Sequence, residues 1–475
     1  MKFNLLVSFI VLFSFSCKND KELINSINGT WQSIGNGWVL EVKDSTSYSL
    51  FDLTSISCLP SREASLDELI QSLSLQSDTL SLYKGIMTYK FIKIDALPEI
   101  CDANISLEKK KDIFYNYDVF AETVKEHYAF MDLNNINWST LGKQQKQKLL
   151  KNPTEVQLYK VLEETLEILN DNHAYLEATD ELYQLLEQES FESEIPVNEN
   201  VLIEYGDFQI ANLVLDHHVT EDLTEDSWLI KWGMMENNVG YIQVKAMWLF
   251  ADLNIPQSLI DELGHVDAYV KTFHTLDEGA YIKKEVEGVK KIMDRVMTDL
   301  EDTSAIIVDI RFNGGGQDAV NFEILKRFNP KTQPIVTTKL KHKNGYSPTL
   351  SIQLNASKDA YVNPVYVLTS PQTGSAAEAF AIGTISMSHI KRIGAATQGA
   401  LSTALEKTLP NGWAFSISNE IYMDTNGISY ENTGVPVDYN LDYSTDRQTF
   451  FRAVANDLER DKRSILNTIK LLQQD

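Results

Sequence analysis

The chain has 475 residues, 43% of them hydrophobic and 10% aromatic, which is too long for one compact core and too apolar for a disordered chain. Two or three globular domains are expected. The formal net charge of −25 argues against a nucleic-acid partner, because a phosphate backbone would be repelled.

The chain opens MKFNLLVSFIVLFSFSC, a basic start at Lys2 followed by an apolar run and small residues. Residues 1–16 read as a signal peptide, too short to span a bilayer comfortably. Cys17 at its end resembles the acylated cysteine of bacterial lipoproteins, although Ser14 stands where an aliphatic residue is usual. Residues 17–24 would then be a tether, and the protein would be exported and held at a membrane by its lipid. Cys58 and Cys101 form an even pair that suggests a disulfide in an oxidising compartment, and two buried thiols are the alternative.

Residues 25–100 alternate apolar and polar positions around Trp31, Trp38, Leu40 and Val42, which predicts a small antiparallel sandwich or barrel. Residues 107–188 change period. Tyr117, Phe120, Val124, Tyr128 and Met131 recur at helical spacing, Trp138 falls in a loop, and Pro153-Thr154 starts a helix with Leu158, Leu162, Leu166 and Leu169 on one face. Residues 189–235 are polar with weak periodicity and read as a connector, with His217 and His218 in a solvated loop. Residues 236–445 repeat a strand–turn–helix–strand theme, which predicts a layered α/β core. Residues 446–475 read as an amphipathic helix.

Within that core, Val367–Ala381 runs from a buried strand through a Pro/Gly turn into a helix, with Ser375 in a knot of small residues. Such a serine is exposed enough to attack a carbonyl, and the next backbone N–H groups are free to meet an oxyanion. A helix cap is the other reading. A nucleophilic serine needs a base. His173, in Leu169-Asn-Asp-Asn-His173, lies at a helix end from which a side chain can project into a cleft. Gly314, Gly315 and Gly316 follow a buried strand and suit an anion hole. They lack the Lys-Ser/Thr of a P-loop, and a plain tight turn is the alternative. Glu431 lies beside a Gly-Val-Pro turn and could orient a histidine. The sequence has no HExxH or CxxC metal signature, so no metal or cofactor is expected.

Five segments in this order resemble the tail-specific (C-terminal processing) protease family. They are Leu169–His173, Asp309–Gly316, Thr373–Glu378, Gly394–Gly399 and Glu431–Asp438. The lysine of the family's Ser-Lys dyad falls at Ala400, so the chain is similar to the tricorn core and interphotoreceptor retinoid-binding protein-like branch, in which histidine is the base. The resemblance implies a crotonase/ClpP-like layered core behind a helical region. It also implies catalysis by Ser375, His173 and Glu431, with Gly314, Gly315, Gly316 and Ala376 donating backbone N–H groups to the oxyanion. Asn172 stands where an auxiliary serine precedes the histidine. No PDZ-like segment is apparent. The expected function is hydrolysis of peptides or unfolded proteins, and the rival is a silent binding protein of the same fold that carries an apolar ligand or peptide.

Overall fold

A computed structural model describes residues 23–101, 105–190, 203–276, 278–343 and 345–473. The expected leader, Cys17 and most of the tether lie outside the described residues. Among the described residues, no helix is long and apolar enough to cross a membrane.

The N-terminal region is one antiparallel sheet of seven strands: β1 (Gly29–Ser33), β2 (Trp38–Lys43), β3 (Ser47–Leu53), β4 (Cys58–Ser65), β5 (Leu73–Gln76), β6 (Thr79–Lys84) and β7 (Met87–Ile94). Its order is β4-β3-β2-β1-β7-β6-β5, so β1 pairs with both β2 and β7 and the outer strands stay apart. The sheet is therefore neither a two-sheet sandwich nor a closed barrel. Trp31, Leu40 and Phe91 share a buried cluster with Met293 and Phe322 of the core, so the sheet is packed into the molecule rather than tethered to it. Lys407 confirms the attachment: it is buried, and its Nζ donates to Asn36 O and to Asp52 Oδ1 at 2.5 Å. Cys58 and Cys101 form a disulfide that closes a 43-residue separation.

Three helices follow: α1 (Ile113–His127), α2 (Trp138–Lys151) and α3 (Glu155–Leu169). Trp138 is the first residue of α2 rather than a loop residue, because Asn137 caps the helix by accepting the Thr140 N–H. Thr154 caps α3 in the same way, and Leu158, Leu162, Leu166 and Leu169 bury its apolar face. Burial of a leucine side chain stabilises by about 1.5–3 kcal/mol, so this stripe fixes where the helix end lies.

The core sheet has seven strands, in the order Tyr439–Asn440, Ile390–Gly394, Val365–Thr369, Ala305–Asp309, Val239–Val244, Ile230–Met235 and Glu221–Asp222. Its parallel part comprises β11 (Val239–Val244), β12 (Ala305–Asp309), β16 (Val365–Thr369), β17 (Ile390–Gly394) and β21 (Tyr439–Asn440). β9 (Glu221–Asp222) and β10 (Ile230–Met235) complete one edge antiparallel. Alternate residues of the buried strands face opposite layers. Ile306, Val308 and Val367 pack toward the helices Glu278–Asp299, Asp318–Leu325 and Ala376–Thr384. Ile307, Tyr366 and Leu368 pack toward α4 (Asp207–His218) and the C-terminal helices Arg447–Asn456 and Leu458–Leu472. The core is thus a three-layer α/β arrangement. α4 corrects the reading of residues 189–235 as a connector: Ile210, Val214 and His218 are buried, and His218 Nε2 lies 3.1 Å from Asp461 Oδ2.

Candidate active site

Two loops leave the carboxyl ends of neighbouring parallel strands, where open α/β sheets place their ligands. Thr373 Oγ1 donates to Ile310 O at 2.9 Å, Ser370 Oγ to Arg311 O at 2.6 Å, and Gly374 N to Asn313 O at 3.0 Å. These bonds stitch the turn after β16 to the loop after β12.

Ser375 ends that turn with φ 52° and ψ −123°, a left-handed conformation that a non-glycine residue holds only when its surroundings over-determine it. Glu378 supplies the constraint. Its carboxylate accepts from Ser375 N at 3.1 Å, Thr397 Oγ1 at 2.5 Å, and Gly399 N and Ala400 N at 2.7 Å. Burial pushes the Glu378 carboxyl up to about 7 in spite of these donors. Ser375 O accepts the Glu378 N–H, which leaves the hydroxyl free to face His173. Its Oγ lies 3.1 Å from His173 Nε2.

The glycine loop is held from below. Arg311 is fully buried and donates to Asp309, to both oxygens of Asp461 (3.0 and 2.9 Å) and to Tyr443 Oη. Asp461 comes from the C-terminal helix, and Arg311 holds its carboxyl well below the usual range. A Cβ on Gly315 (φ 112°) would fall 2.6 Å from Ser375 Cβ, so only glycine lets the two loops meet. The Gly315 N–H, expected among the oxyanion donors, is donated to Asn313 Oδ1 at 2.9 Å. Among the described residues, the N–H groups of Gly314, Gly316 and Ala376 have no hydrogen-bond partner.

His173 is delivered by the end of α3. Asn170 turns the chain in the left-handed conformation (φ 52°, ψ 49°), and Asp171 and His173 follow. β8 (Tyr175–Glu177) then pairs with β19 (Ala414–Ser418), whose other neighbour is β18 (Ala404–Thr408). Ser416 and Ser418 share one face of β19. Ser416 Oγ donates to His173 O, while Ser418 Oγ donates to Asp171 Oδ1 at 2.6 Å and lies 3.5 Å from His173 Nδ1. Asp171 also accepts from His173 N at 3.0 Å and from Ser418 N at 2.6 Å. Burial lowers the His173 pKa from its ordinary value, and the Asp171 charge partly offsets this.

Among the described residues, no hydrogen bond joins Glu431 to the imidazole. Its carboxylate accepts from Leu401 N at 2.6 Å, and burial pushes its pKa up to about 8, aided by Asp171 and Glu378. Asn172 is exposed and makes no hydrogen bond among the described residues. Sequence reasoning missed Asp171 and Ser418. Asp171 stood inside the quoted motif, whereas Ser418, on a strand 245 residues from His173, carried no local signal. Among the described residues, no cluster of three metal-ligating side chains occurs. A cleft of about 950 Å³ opens beside the Ser375 turn, lined by Gln372, Gln398, Asn432, Tyr443 and Arg447 among others.

Residues 238–441 match peptidase family S41, a span that includes the glycine loop, Ser375 and Glu431. No curated protein matches by sequence. Among solved structures, the chain is similar to a candidate peptidase from Parabacteroides merdae, at 16% identity and a TM-score of 0.51 over 70% of this chain and 91% of that one. It is also similar to mature CPAF, at 12% identity and a TM-score of 0.51 over 76% of this chain and 98% of that one. At such identities these likenesses show the fold alone. The nucleophile-bearing core, residues 238–441, is thus similar to peptidase family S41, the tail-specific protease family, and the solved structures agree with it in fold.

Proposed function

We propose that the protein hydrolyses peptide bonds of unfolded proteins or peptides, with Ser375 as nucleophile and His173 as general base. The observation that carries this reading is the 3.1 Å approach of Ser375 Oγ to His173 Nε2 across 202 residues of sequence. Ser375 Oγ attacks the scissile carbonyl while its proton passes to Nε2. The carbonyl oxygen becomes an oxyanion, and the N–H groups of Ala376, Gly316 and Gly314, which have no partner among the described residues, would be its donors. The imidazolium then protonates the leaving amine. Water, deprotonated by the same nitrogen, releases the acyl group and restores Ser375.

Ser375→Ala should abolish hydrolysis of denatured, fluorophore-labelled casein and block labelling by a fluorophosphonate probe. Turnover by that variant at the parental rate would remove Ser375 from the reaction. His173 must be neutral to act, and its pKa is lowered. The rate should therefore hold through pH 6.5 and fall only below it. The rival reading, a carrier of apolar ligands, finds no support in the polar side chains that line the cleft.

The leader composition and the Cys58–Cys101 disulfide support export, with acylation of Cys17 as the membrane anchor. Metabolic labelling with a palmitate analogue should mark the parent chain and not Cys17→Ser. Equal labelling of both would sink the anchor.

A further inference from the structure

We propose that Asp171, acting through the Ser418 hydroxyl, is the positioning residue for His173, in place of Glu431. This rests on the reading of Ser375 and His173 as nucleophile and base.

The direction of each hydrogen bond supports it. Asp171 Oδ1 accepts, so the Ser418 Oγ–H points at Asp171 over 2.6 Å. The Ser418 oxygen therefore offers a lone pair, and the nearest donor is His173 Nδ1 at 3.5 Å. A proton on Nδ1 leaves Nε2 with the lone pair that a base needs, and Nε2 is the atom facing Ser375 Oγ. The chain of polarity runs Ser375 Oγ–H to Nε2, Nδ1–H to Ser418 Oγ, and Ser418 Oγ–H to Asp171. It has no break and no surplus proton. The 3.5 Å step is long, as base contacts often are before substrate binds.

Asp171 holds the histidine at a second point by accepting its backbone N–H, and Ser416 holds the His173 carbonyl. Backbone, ring and carboxylate are thus located by one strand, β19. The remaining titratable groups nearby do not compete. Glu431 bonds to Leu401 N, Glu378 lies behind Ser375, and the Tyr128 hydroxyl donates to Leu169 O.

The test compares Asp171→Asn, Ser418→Ala and Glu431→Gln in the full chain, by casein hydrolysis and by ¹⁵N NMR of the histidine rings. Asp171→Asn should lower kcat about a hundredfold with little change in KM, the size expected when a catalytic group loses its alignment. It should also move the acid limb of the pH profile to lower pH, because a charge that favours imidazolium is gone. Ser418→Ala should follow it in direction, and Ser418→Thr, which keeps the hydroxyl, should recover most of the rate. Glu431→Gln should leave the acid limb in place. In the parent protein, neutral His173 should carry its proton on Nδ1, a readout that needs no turnover. The relay is overturned by an Nε2-protonated ring in the parent. It is also overturned if a folded Asp171→Asn or Ser418→Ala variant keeps parental kcat and pH profile. If Asp171→Asn does not fold, Ser418→Ala and the tautomer decide. Loss of activity in Ser375→Ala alongside full activity in Asp171→Asn would defeat the relay and spare the peptidase reading. Activity in Ser375→Ala would defeat that reading itself.

Discussion

The nucleophile side and the base side of this site are built in opposite ways. Ser375 and the glycine loop hang from two adjacent parallel strands, with their backbones tied to each other and to a buried Arg311. His173 sits in a five-residue passage between α3 and β8, partly buried, and is held by hydroxyls from β19. The first side is rigid because burial makes an unsatisfied polar group costly, so the buried side chains behind the turn are paired and only the N–H groups of Gly314, Gly316 and Ala376 stay without a partner among the described residues. The second side depends on a few bonds at a surface that substrate must reach. The strain that readies the nucleophile is carried by the core, while the proton path is left adjustable.

The sharpest way to break this contrast is Asp461→Ala. It strips a carboxylate from buried Arg311, and breaking such a pair by removing one partner costs about 3–5 kcal/mol. Urea unfolding should show a loss of that size, and an unchanged midpoint would mean the nucleophile side is not anchored from the C-terminal helix. Gly315→Ala comes next. Its Cβ would collide with Ser375 Cβ at 2.6 Å and push the loop that carries the Gly314 and Gly316 N–H groups away from Ser375, so transition-state stabilisation should fall by about 3–4 kcal/mol, the usual cost of a lost oxyanion contact. Steady-state kinetics at parental KM would register it.

Stability should also depend on pH in a defined direction. Glu378 and Glu431 are raised from 4.5 to about 7 and about 8. A carboxyl with a raised folded-state pKa binds its proton more tightly folded than unfolded. Its contribution is present below pH 4.5 and is lost as pH rises through 7 and 8. Asp461, whose pKa is lowered, contributes above its ordinary value of 3.8 and loses that contribution in acid. Below pH 6.5 the buried histidines with lowered pKa values, His127, His173 and His218, contribute with the opposite sign, so stability should decline between pH 6.5 and 8, on the order of 1–3 kcal/mol, and thermal unfolding at several pH values would check the sign. A rise over that range would mean both carboxyls are ionised in the folded protein. The smallest effect belongs to the base side. Ser416→Ala removes one bond to the His173 carbonyl, about 1 kcal/mol, and should lower kcat several-fold without shifting the unfolding midpoint beyond that amount.

Much of the nucleophile side was legible in the sequence because its causes are local. A buried strand, a Pro/Gly turn and a helix of small residues follow one another within Val367–Ala381, and three glycines mark the facing loop. Glycine tolerance of positive φ and the period of buried strands are properties of neighbours in the chain. His173 was legible only as a residue at a helix end. Two placements that the sequence did not foresee share one cause. Glu431 lay in a suggestive loop, yet its carboxylate meets Leu401 N, because loop composition does not say where a side chain points. His218 looked solvated beside His217, yet burial against Asp461 lies 243 residues away in sequence.

By itself, then, the sequence determined the elements, the layered core, the nucleophile turn and the helix end that carries the histidine, since periodicity, capping and turn chemistry act over a few residues. Only the tertiary structure decided which acid stands behind His173, which glycine N–H remains free, and that the N-terminal sheet shares a core with the catalytic domain. Those outcomes depend on hydrogen-bond directions and contacts across hundreds of residues. They are settled by which groups burial forces to find partners.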